Sequence, residues 1–376
     1  MTIEQVEILV PTHVLSRRRL YSTGGNVTRE SVLVRISDGE GAEGWGETYL
    51  RTGVVAIIAE LAGLLIGRDP GGATANWALL RGATSDGLAI SALSIALDDL
   101  RARQLGVPLS DLYGGRIRSR VRAYASSGGY VAGLDPIDAW RAEAEAVQAA
   151  GLTAMKLRIG RESPTLERPM LETFAAEAHG LDLMADGNAA YTMGTALDVG
   201  RTLADAGYRW FEEPIPTDDY AGYRSLRDKL PIALAGGESL EGRGPARAFI
   251  DAGAVDLIQP DPTICGGIGE ALFIASLARL SAIACHPHAC NGAVALAATL
   301  QLLAVLPDPT RLAEDAPLLE YDFGENPLRT DLLTGPLDLE EGWFSIPDGP
   351  GLGVSPDVAF LRRTAMGGST VVNRSR

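Results

Sequence analysis

The sequence predicts an α/β protein in which an N-terminal α+β capping domain precedes a modified (β/α)8 barrel. Short apolar runs such as 255–258 alternate with helical stretches such as 268–280, and this alternation indicates a parallel sheet with right-handed crossovers. Between Lys156 and Glu320 an ionisable residue ends each apolar run, at steps about as long as one strand, one helix and two loops. Because a barrel presents the ends of its strands at one rim, we expect these residues to converge on one site.

The capping domain is predicted at residues 1–118, because strand patterns come first there and helical patterns follow. Strands are predicted at 3–10, 31–36 and 42–47, with a turn at 37–41 and helices at 54–66 and 89–105. The stretch 16–26 is polar, contains glycine and has no clear period. It is therefore predicted to be a loop that closes over a site.

The barrel is predicted at residues 119–322, and residues 323–376 form a C-terminal segment. The first barrel strand is expected at 121–126, followed by a helix at 135–150. Turn-rich sequence after Glu320 indicates that the C-terminal segment returns over the capping domain. Its last residues, 367–376, are expected to be a frayed tail.

The composition limits the class of partner and the compartment. The chain has 376 residues and a net charge of −15, which argues against nucleic acid and anionic membranes as partners. A small anionic substrate is still compatible with a locally positive site. The three cysteines (Cys265, Cys285 and Cys290) fit no disulfide framework. No leader-like segment or apolar run of about 18 residues occurs, so we expect a cytoplasmic protein.

Three carboxylates, Asp186, Glu212 and Glu238, end neighbouring predicted strands. Taken singly, each is explained as an ordinary surface acid or helix N-cap. Three carboxylates brought together would repel one another and raise their pKa values. A hard divalent cation relieves that repulsion, and oxygen ligands suit Mg²⁺. We therefore predict a magnesium site.

The next two strand ends carry Asp261 and His288. A carboxylate that binds one imidazole nitrogen fixes the tautomer and raises the basicity of the other nitrogen. The alternative for His288 is a purely structural histidine. His286 lies at the same strand end, and it is a candidate substrate contact.

These segments together resemble the enolase superfamily, and within it the mandelate racemase subgroup. The matching segments are Lys156-Leu157-Arg158-Ile159-Gly160, Asp186-Gly187-Asn188, Trp210-Phe211-Glu212-Glu213-Pro214, Gly237-Glu238-Ser239, Gln259-Pro260-Asp261, Pro287-His288-Ala289 and Leu319-Glu320-Tyr321-Asp322, with Gly44-Trp45-Gly46-Glu47 and Pro350-Gly351-Leu352-Gly353 outside the predicted barrel. Each segment is unspecific alone, whereas their order and spacing are specific and cover nearly the whole chain.

The resemblance implies a role for each group of residues. Asp186, Glu212 and Glu238 would hold Mg²⁺, and His288, backed by Asp261, would act as general acid and base. The resemblance also implies that the substrate is a small carboxylate, a sugar acid, and that other residues bind it.

Glu320 would hydrogen-bond the substrate carboxylate as the enediolate forms, and it must be protonated to donate that bond. Asn188 would position the substrate, and the loop from Arg17 to Tyr21 would close over it. Fold-level analogy predicts a homo-oligomer.

One position departs from the family pattern. Racemases of the subgroup carry Lys-x-Lys on the second strand, whereas here Lys156 is followed by Arg158. Arginine has a pKa above about 12 and keeps its proton, so Arg158 is suited to hold a carboxylate or to stabilise an oxyanion. Its alternative role is a structural ion pair.

The predicted function is Mg²⁺-dependent dehydration of a sugar acid to a 2-keto-3-deoxy acid, with His288 as the one good base. An isomerase remains the alternative, either an epimerase or racemase that uses Lys156 or Arg158, or a lactone cycloisomerase. A barrel that binds a metabolite without turnover is the third possibility, and the Asp261–His288 pair argues against it.

Overall fold

The computed structural model describes residues 2–308 and 316–374. In chain order the strands are β1 (Ile3–Tyr21), β2 (Gly24–Glu30), β3 (Val32–Asp38), β4 (Glu43–Thr48), β5 (Arg120–Ser127), β6 (Tyr130–Val131), β7 (Ala154–Arg158), β8 (Asp182–Asp186), β9 (Trp210–Glu212), β10 (Ala233–Gly236), β11 (Leu257–Ile258), β12 (Ala284–Cys285), β13 (Leu319–Asp322), β14 (Leu339–Glu340), β15 (Trp343–Ser345) and β16 (Ala365–Asn373). The helices are α1 (Val54–Leu65), α2 (Ala73–Ala83), α3 (Gly87–Leu105), α4 (Leu109–Leu112), α5 (Pro136–Ala149), α6 (Pro164–Glu177), α7 (Met193–Asp205), α8 (Tyr220–Arg227), α9 (Arg243–Asp251), α10 (Ile268–Leu280), α11 (Ala293–Val305), α12 (Pro327–Thr330) and α13 (Val358–Thr364).

Eight parallel strands form the barrel, in the order β13-β5-β7-β8-β9-β10-β11-β12. Helices α5 to α11 alternate with them along the chain, and β15 adds to β5 in the antiparallel sense. The predicted fold class is confirmed: a capping domain stands in front of a barrel-like α/β domain.

A layer of apolar side chains fills the barrel beneath the rim. It consists of Tyr124, Ala154, Met184, Trp210, Ala235 and Leu318. Lys156, Asp186, Glu212 and Glu320 each follow a member of this layer by two residues. Alternate residues of a strand face the same side, so these four charged groups also face the interior.

The capping sheet has the order β16-β1-β3-β4, and β2 and β6 pair with β1. Strand β4 lies directly on α3, because a Cβ added at Gly44 or Gly46 would lie 2.1 Å or 2.0 Å from a carbonyl oxygen of α3. Only glycine permits that approach. The amide of Trp45 donates to Asp99 of α3 at 2.8 Å.

Glu47 joins the capping sheet to the barrel. Its buried carboxylate accepts hydrogen bonds from the backbone amides of Gly292 (2.7 Å) and Ala295 (2.8 Å) at the start of α11. Helix α11 has no side-chain cap of its own. Glu47 therefore satisfies amides that the helix cannot, and it places a negative charge at the positive end of the helix dipole.

Two expectations were wrong about the capping sheet. The stretch 16–26 is not an irregular loop, since β1 continues to Tyr21 and turns through Ser22 and Thr23 into β2. Its exposed, polar faces hide the period that marks a strand. The expected frayed tail is also ordered in large part, because Ala365–Asn373 pairs with β1 as strand β16. That pairing is remote in sequence, so local pattern does not reveal it.

Within the described residues, no helix combines the length and the apolar composition that a membrane span requires.

We predict that Asp98→Asn stabilises the protein at neutral pH. Burial raises the pKa of Asp98 on α3 to about 6, although the Tyr113 hydroxyl donates to it at 2.5 Å. The folded state therefore binds the proton more tightly, and the cost of the buried charge is present above pH 6 and disappears as the pH falls below it. The expected gain is about 2 kcal/mol at pH 7.5.

The gain from Asp98→Asn should shrink at pH 5, where the Asp98 carboxyl of the folded parent protein is already mostly protonated. Thermal melts at both pH values measure it. The matched control is the exposed Asp205→Asn, which should change stability by less than about 0.5 kcal/mol. An equal gain at both pH values would contradict the titration argument.

Candidate active site

The candidate site is a cavity of about 470 Å³ at the C-terminal ends of the barrel strands. The barrel contributes Arg158, Glu238 and His288 to its wall, and the capping sheet contributes Arg29 and Tyr49. Register explains the barrel contribution, since Arg158 pairs with Asp186 and Asp186 pairs with Glu212 across three neighbouring strands. The even spacing in the sequence therefore becomes one cluster of charge.

Lys156 lies at the centre of this cluster and beneath the cavity. Its ammonium is 2.5 Å from Glu212 Oε1, 2.7 Å from Glu320 Oε1 and 3.9 Å from Asp186 Oδ2, and the side chain is fully buried. Burial alone would lower the pKa of Lys156, but Glu212 and Glu320 raise it well above its usual value. Lys156 is therefore a fixed cation that holds two strand-end carboxylates.

Glu320 differs from the sequence-based expectation, which required a protonated carboxyl. Burial would raise its pKa, but Lys156 and His288 together hold the pKa of Glu320 well below its usual range. Glu320 is therefore ionised in this arrangement. The expectation considered only neighbouring anions, whereas the nearest neighbour is a cation.

Four carboxylates adjoin one another on β8, β9 and the end of β10: Asp186, Glu212, Glu213 and Glu238. Burial raises the pKa of Asp186 and of Glu212, and burial together with Glu238 raises the pKa of Glu213. Glu213 Oε1 is buried without a hydrogen-bond partner. The cluster thus carries more negative charge than its lysine and arginine compensate.

This donor set fits a hard divalent cation in its chemistry, because it consists of carboxylate oxygens and includes an orphaned one. The predicted ligands Asp186, Glu212 and Glu238 are nevertheless not a group whose donor atoms converge among the described residues, where that group is His288, Cys290 and Glu320. Glu238 instead lies 3.3 Å from His288 Nε2. Metal binding by these three residues would require Glu238 to turn from His288 toward Asp186.

Asp261 and His288 form a buried pair. His288 Nδ1 lies 2.7 Å from Asp261 Oδ2, and Asp261 Oδ1 accepts from the amide and hydroxyl of Thr263 at 2.7 Å and 2.6 Å. The hydroxyl of Tyr49 donates to Asp261 Oδ2 at 3.3 Å. These contacts leave His288 Nε2 facing Glu238 and the cavity.

The imidazole of His288 has an environment that favours its charged form. Burial would lower the pKa of His288, but Glu238 and Tyr49 raise it well above its usual value. A cation that neutralised Glu238 would remove the largest of the effects that raise the pKa of His288. His288 would then be more readily available as a neutral base.

Arg158 lines the cavity and anchors the Asp186 loop. Its guanidinium lies 3.2 Å from Asp186 Oδ2, 3.4 Å from Asn188 Oδ1 and 3.4 Å from Cys290 Sγ. Burial would lower the pKa of Arg158, but Cys290 and Asp186 raise it well above its usual value. Arg158 is therefore a cation and not a base. Asn188, whose amide donates to Asp186 at 2.9 Å, also lines the cavity.

The predicted substrate contacts fall in different places. Tyr21 lies at the tip of the hairpin formed by β1 and β2, and it lines the cavity. Arg17 does not line it: the side chain is exposed, and Arg19 is in the wall instead. His286 does not line it either, since its ring packs near Trp210 and its Nδ1 accepts from the amide of Leu318 at 3.1 Å. His286 thus bridges β12 and β13.

Arg19 belongs to the segment from Arg17 to Tyr21 that is predicted to close over the substrate, whereas sequence reasoning missed four other residues of the cavity wall: Arg29, Tyr49, Glu213 and Cys290. Glu213 and Cys290 were adjacent to predicted site residues, and their polar or reactive character was the available signal. Arg29 and Tyr49 belong to the capping sheet. Their role depends on how two separately folded layers dock, and no local pattern encodes it.

A capping sheet on a barrel, with lysine, carboxylates and a histidine–aspartate pair at its rim, is an arrangement suited to acid–base chemistry. The family profile described as the mandelate racemase / muconate lactonizing enzyme N-terminal domain matches residues 7–114. The profile described as the enolase C-terminal domain-like family matches residues 139–360. The chain therefore belongs to the mandelate racemase-like branch of the enolase superfamily, a group of enzymes.

Similar proteins include both dehydratases and cycloisomerases. The chain is 38% identical over 336 residues to D-galactarolactone cycloisomerase of Agrobacterium fabrum, covering 87% of this chain and 89% of that protein. It is 31% identical over 349 residues to D-galactonate dehydratase of Ralstonia nicotianae, covering 88% and 90%. A crystal structure of an L-talarate/galactarate dehydratase variant with Mg and L-glucarate is 26% identical, with a TM-score of 0.86 over 99% of this chain and 93% of that one.

We predict that Glu212→Gln weakens Mg²⁺ binding at least about tenfold while the barrel stays folded, because the amide removes one negative donor from the cluster. Isothermal titration of the metal-stripped protein measures the affinity. The matched control is Glu241→Gln, which removes a carboxylate that pairs with Arg51 away from the cavity. Equal Mg²⁺ affinity in the Glu212 variant and the parent would contradict the assignment.

Proposed function

We propose that the protein is a Mg²⁺-dependent enzyme that removes the proton α to the carboxylate of a sugar acid and expels the oxygen substituent at the β carbon. The observation that carries this proposal is the buried His288–Asp261 pair, in which the second nitrogen of His288 faces Glu238 and the cavity. The cation that stands where the family has a second lysine is Arg158. One base is sufficient for elimination, whereas racemisation requires a base on each face of the α carbon.

Each residue has a defined task in this proposal. Asp186, Glu212 and Glu238 would hold Mg²⁺, which when bound supplies Lewis-acid stabilisation of the negative charge that develops on the substrate carboxylate. Arg158 binds the carboxylate from the cavity wall and stabilises the enediolate as a fixed cation. Lys156 does not reach the substrate, and it positions Glu212 and Glu320 from below.

His288 carries the proton transfers. Neutral Nε2 takes the α-proton, and Asp261 stabilises the imidazolium that results. The enediolate then collapses and expels the β-oxygen. When the leaving group is a hydroxyl, the same imidazolium returns its proton to the departing oxygen, so that water leaves and a 2-keto-3-deoxy acid forms after the enol tautomerises.

Two reactions of this type differ only in the leaving oxygen. Dehydration expels a hydroxyl, and we propose it first because His288 can act as base and then as acid. Cycloisomerisation of a lactone expels a ring oxygen, which stays attached to the product. The 38% identity to D-galactarolactone cycloisomerase supports this second candidate.

Product analysis separates the two reactions. The purified protein should be incubated with Mg²⁺ and a panel of aldonic acids, aldaric acids and their lactones, and the products analysed by mass spectrometry and NMR. A dehydration product is lighter than its substrate by one water, whereas a cycloisomerisation product has the same mass. Absence of turnover across the panel, with Mg²⁺ bound, would contradict the proposed function in both forms.

We predict that His288→Asn abolishes turnover of every accepted substrate and leaves Mg²⁺ binding measurable. Asp261→Asn should lose roughly 10²–10⁴-fold in kcat, because it misorients the imidazole without deleting the base. Steady-state kinetics together with Mg²⁺ titration measure both effects. A larger loss for Asp261→Asn than for His288→Asn would be inconsistent with His288 as the base.

We predict that Arg158→Lys introduces a second titratable group at the cavity wall and thereby a second route of α-proton exchange. NMR of substrate recovered from deuterated water should show exchange from both faces in this variant and from the His288 face alone in the parent. The exposed Arg247→Lys serves as the matched control. Exchange from both faces in the parent would favour an epimerase or racemase.

A further inference from the structure

A second group of metal donors, separate from the predicted magnesium ligands, consists of two residues of the cavity wall, His288 and Cys290, and the fully buried Glu320. His288, Cys290 and Glu320 each offer one donor atom, and the three atoms lie within 4.8 Å of one another. Cys290 Sγ is 3.4 Å from Glu320 Oε1, and His288 Nε2 is 4.0 Å from Glu320 Oε2. Among the described residues, this is the group of at least three such side chains whose donors converge this closely.

The spacing of these donors fits a tetrahedral zinc ion. Zn–N and Zn–O bonds of about 2.0–2.2 Å and a Zn–S bond of about 2.3 Å place neighbouring ligand atoms roughly 3.3–3.6 Å apart. Cys290 Sγ lies 3.4 Å from Glu320 Oε1 and His288 Nε2 lies 4.0 Å from Glu320 Oε2, and one donor atom from each of the three residues falls within 4.8 Å of the others. Small side-chain rotations therefore close the site around an ion, and the open cavity supplies a position for water as the fourth ligand.

The imidazole of His288 has a partner typical of a zinc ligand, although the cations Lys156 and Arg158 contact Glu320 and Cys290. Asp261 contacts Nδ1 of His288 at 2.7 Å, and a carboxylate in that position orients a zinc-ligating imidazole and raises its basicity. Glu320 has two oxygens with different neighbours: Oε1 contacts Lys156 at 2.7 Å, whereas Oε2 accepts from the amide of Ala289 at 3.4 Å and faces His288 Nε2 at 4.0 Å. Glu238, 3.3 Å from His288 Nε2, adds negative charge beside the site.

We propose that His288, Cys290 and Glu320 form a binding site for Zn²⁺ or another thiophilic divalent cation, distinct from the magnesium site. The chemistry of the donors separates the two sites, since imidazole and thiolate select Zn²⁺ whereas carboxylate oxygens alone suit Mg²⁺. The two sites share no predicted ligand. Mg²⁺ therefore does not compete directly for the zinc position.

Occupation of this site inhibits the enzyme. The ion takes the lone pair of His288 Nε2, which is the atom proposed to remove the α-proton, and it stands in the cavity where the substrate would bind. This consequence rests on the proposed function, whereas the binding itself does not. Zn²⁺ should therefore reduce turnover at saturating Mg²⁺, and a zinc-selective chelator should restore it.

Cobalt spectroscopy tests the binding directly. Metal-stripped protein is saturated with Mg²⁺ and titrated with Co²⁺, which replaces Zn²⁺ and gives a near-ultraviolet charge-transfer band when a thiolate is bound. A single Co²⁺ per chain should give this band. The band should disappear in Cys290→Ser and persist in the matched control Cys285→Ser, because Cys285 is buried on β12 and lies outside the cavity wall.

Two further measurements make the outcome decisive. Asp261→Asn should weaken Co²⁺ binding roughly 10–100-fold through loss of the imidazole partner. In the parent protein, Zn²⁺ should slow alkylation of Cys290 by iodoacetamide, which peptide mass spectrometry locates and which requires no folded variant.

The site is overturned if the charge-transfer band is absent or survives in Cys290→Ser, if Mg²⁺ displaces Co²⁺ competitively, or if Zn²⁺ leaves the alkylation rate unchanged. A protein that binds Co²⁺ through Cys290 but turns over no sugar acid would retain the site and refute the proposed function. The two failures are thereby distinguished.

Discussion

The buried ammonium of Lys156 is the interaction on which the site depends. It neutralises part of a carboxylate cluster that extends over neighbouring strand ends, and it contacts Glu212 and Glu320 at 2.5 Å and 2.7 Å. Removing one partner of such a buried group leaves an uncompensated charge, which costs several kcal/mol, about 3–5 for a typical pair. Lys156 alone does not neutralise the negative charge of the cluster, and the remaining negative charge attracts cations to the rim.

The second constraint is the joint between the capping sheet and the barrel. Glu47 accepts from the first amides of α11, and that helix follows directly on the segment that carries His288 and Cys290. Tyr49 lies two residues after Glu47, just beyond the end of β4, and its hydroxyl donates a hydrogen bond to Asp261. The position of the capping sheet and the orientation of the acid–base pair are therefore set by one short stretch of chain.

The sequence predicts the barrel and the rim residues well because both depend on local regularity. Apolar layers and charged residues recur with period two along each strand, so Lys156, Asp186 and Glu212 face inward together. It cannot predict Arg29 or Tyr49, whose place in the wall depends on docking between layers.

The pairing of the first long strand with the last one brings the two ends of the chain side by side, with Gln5 opposite Asn373. During synthesis the capping sheet therefore lacks its edge strand β16 until the chain has been made as far as Asn373. The barrel strands from β5 to β12 can pair earlier, since each follows its neighbour in the chain, whereas β13 pairs with β5 across about 200 residues. The capping sheet is thus completed last, after the barrel strands that carry Lys156, Asp186 and Glu212 have been made.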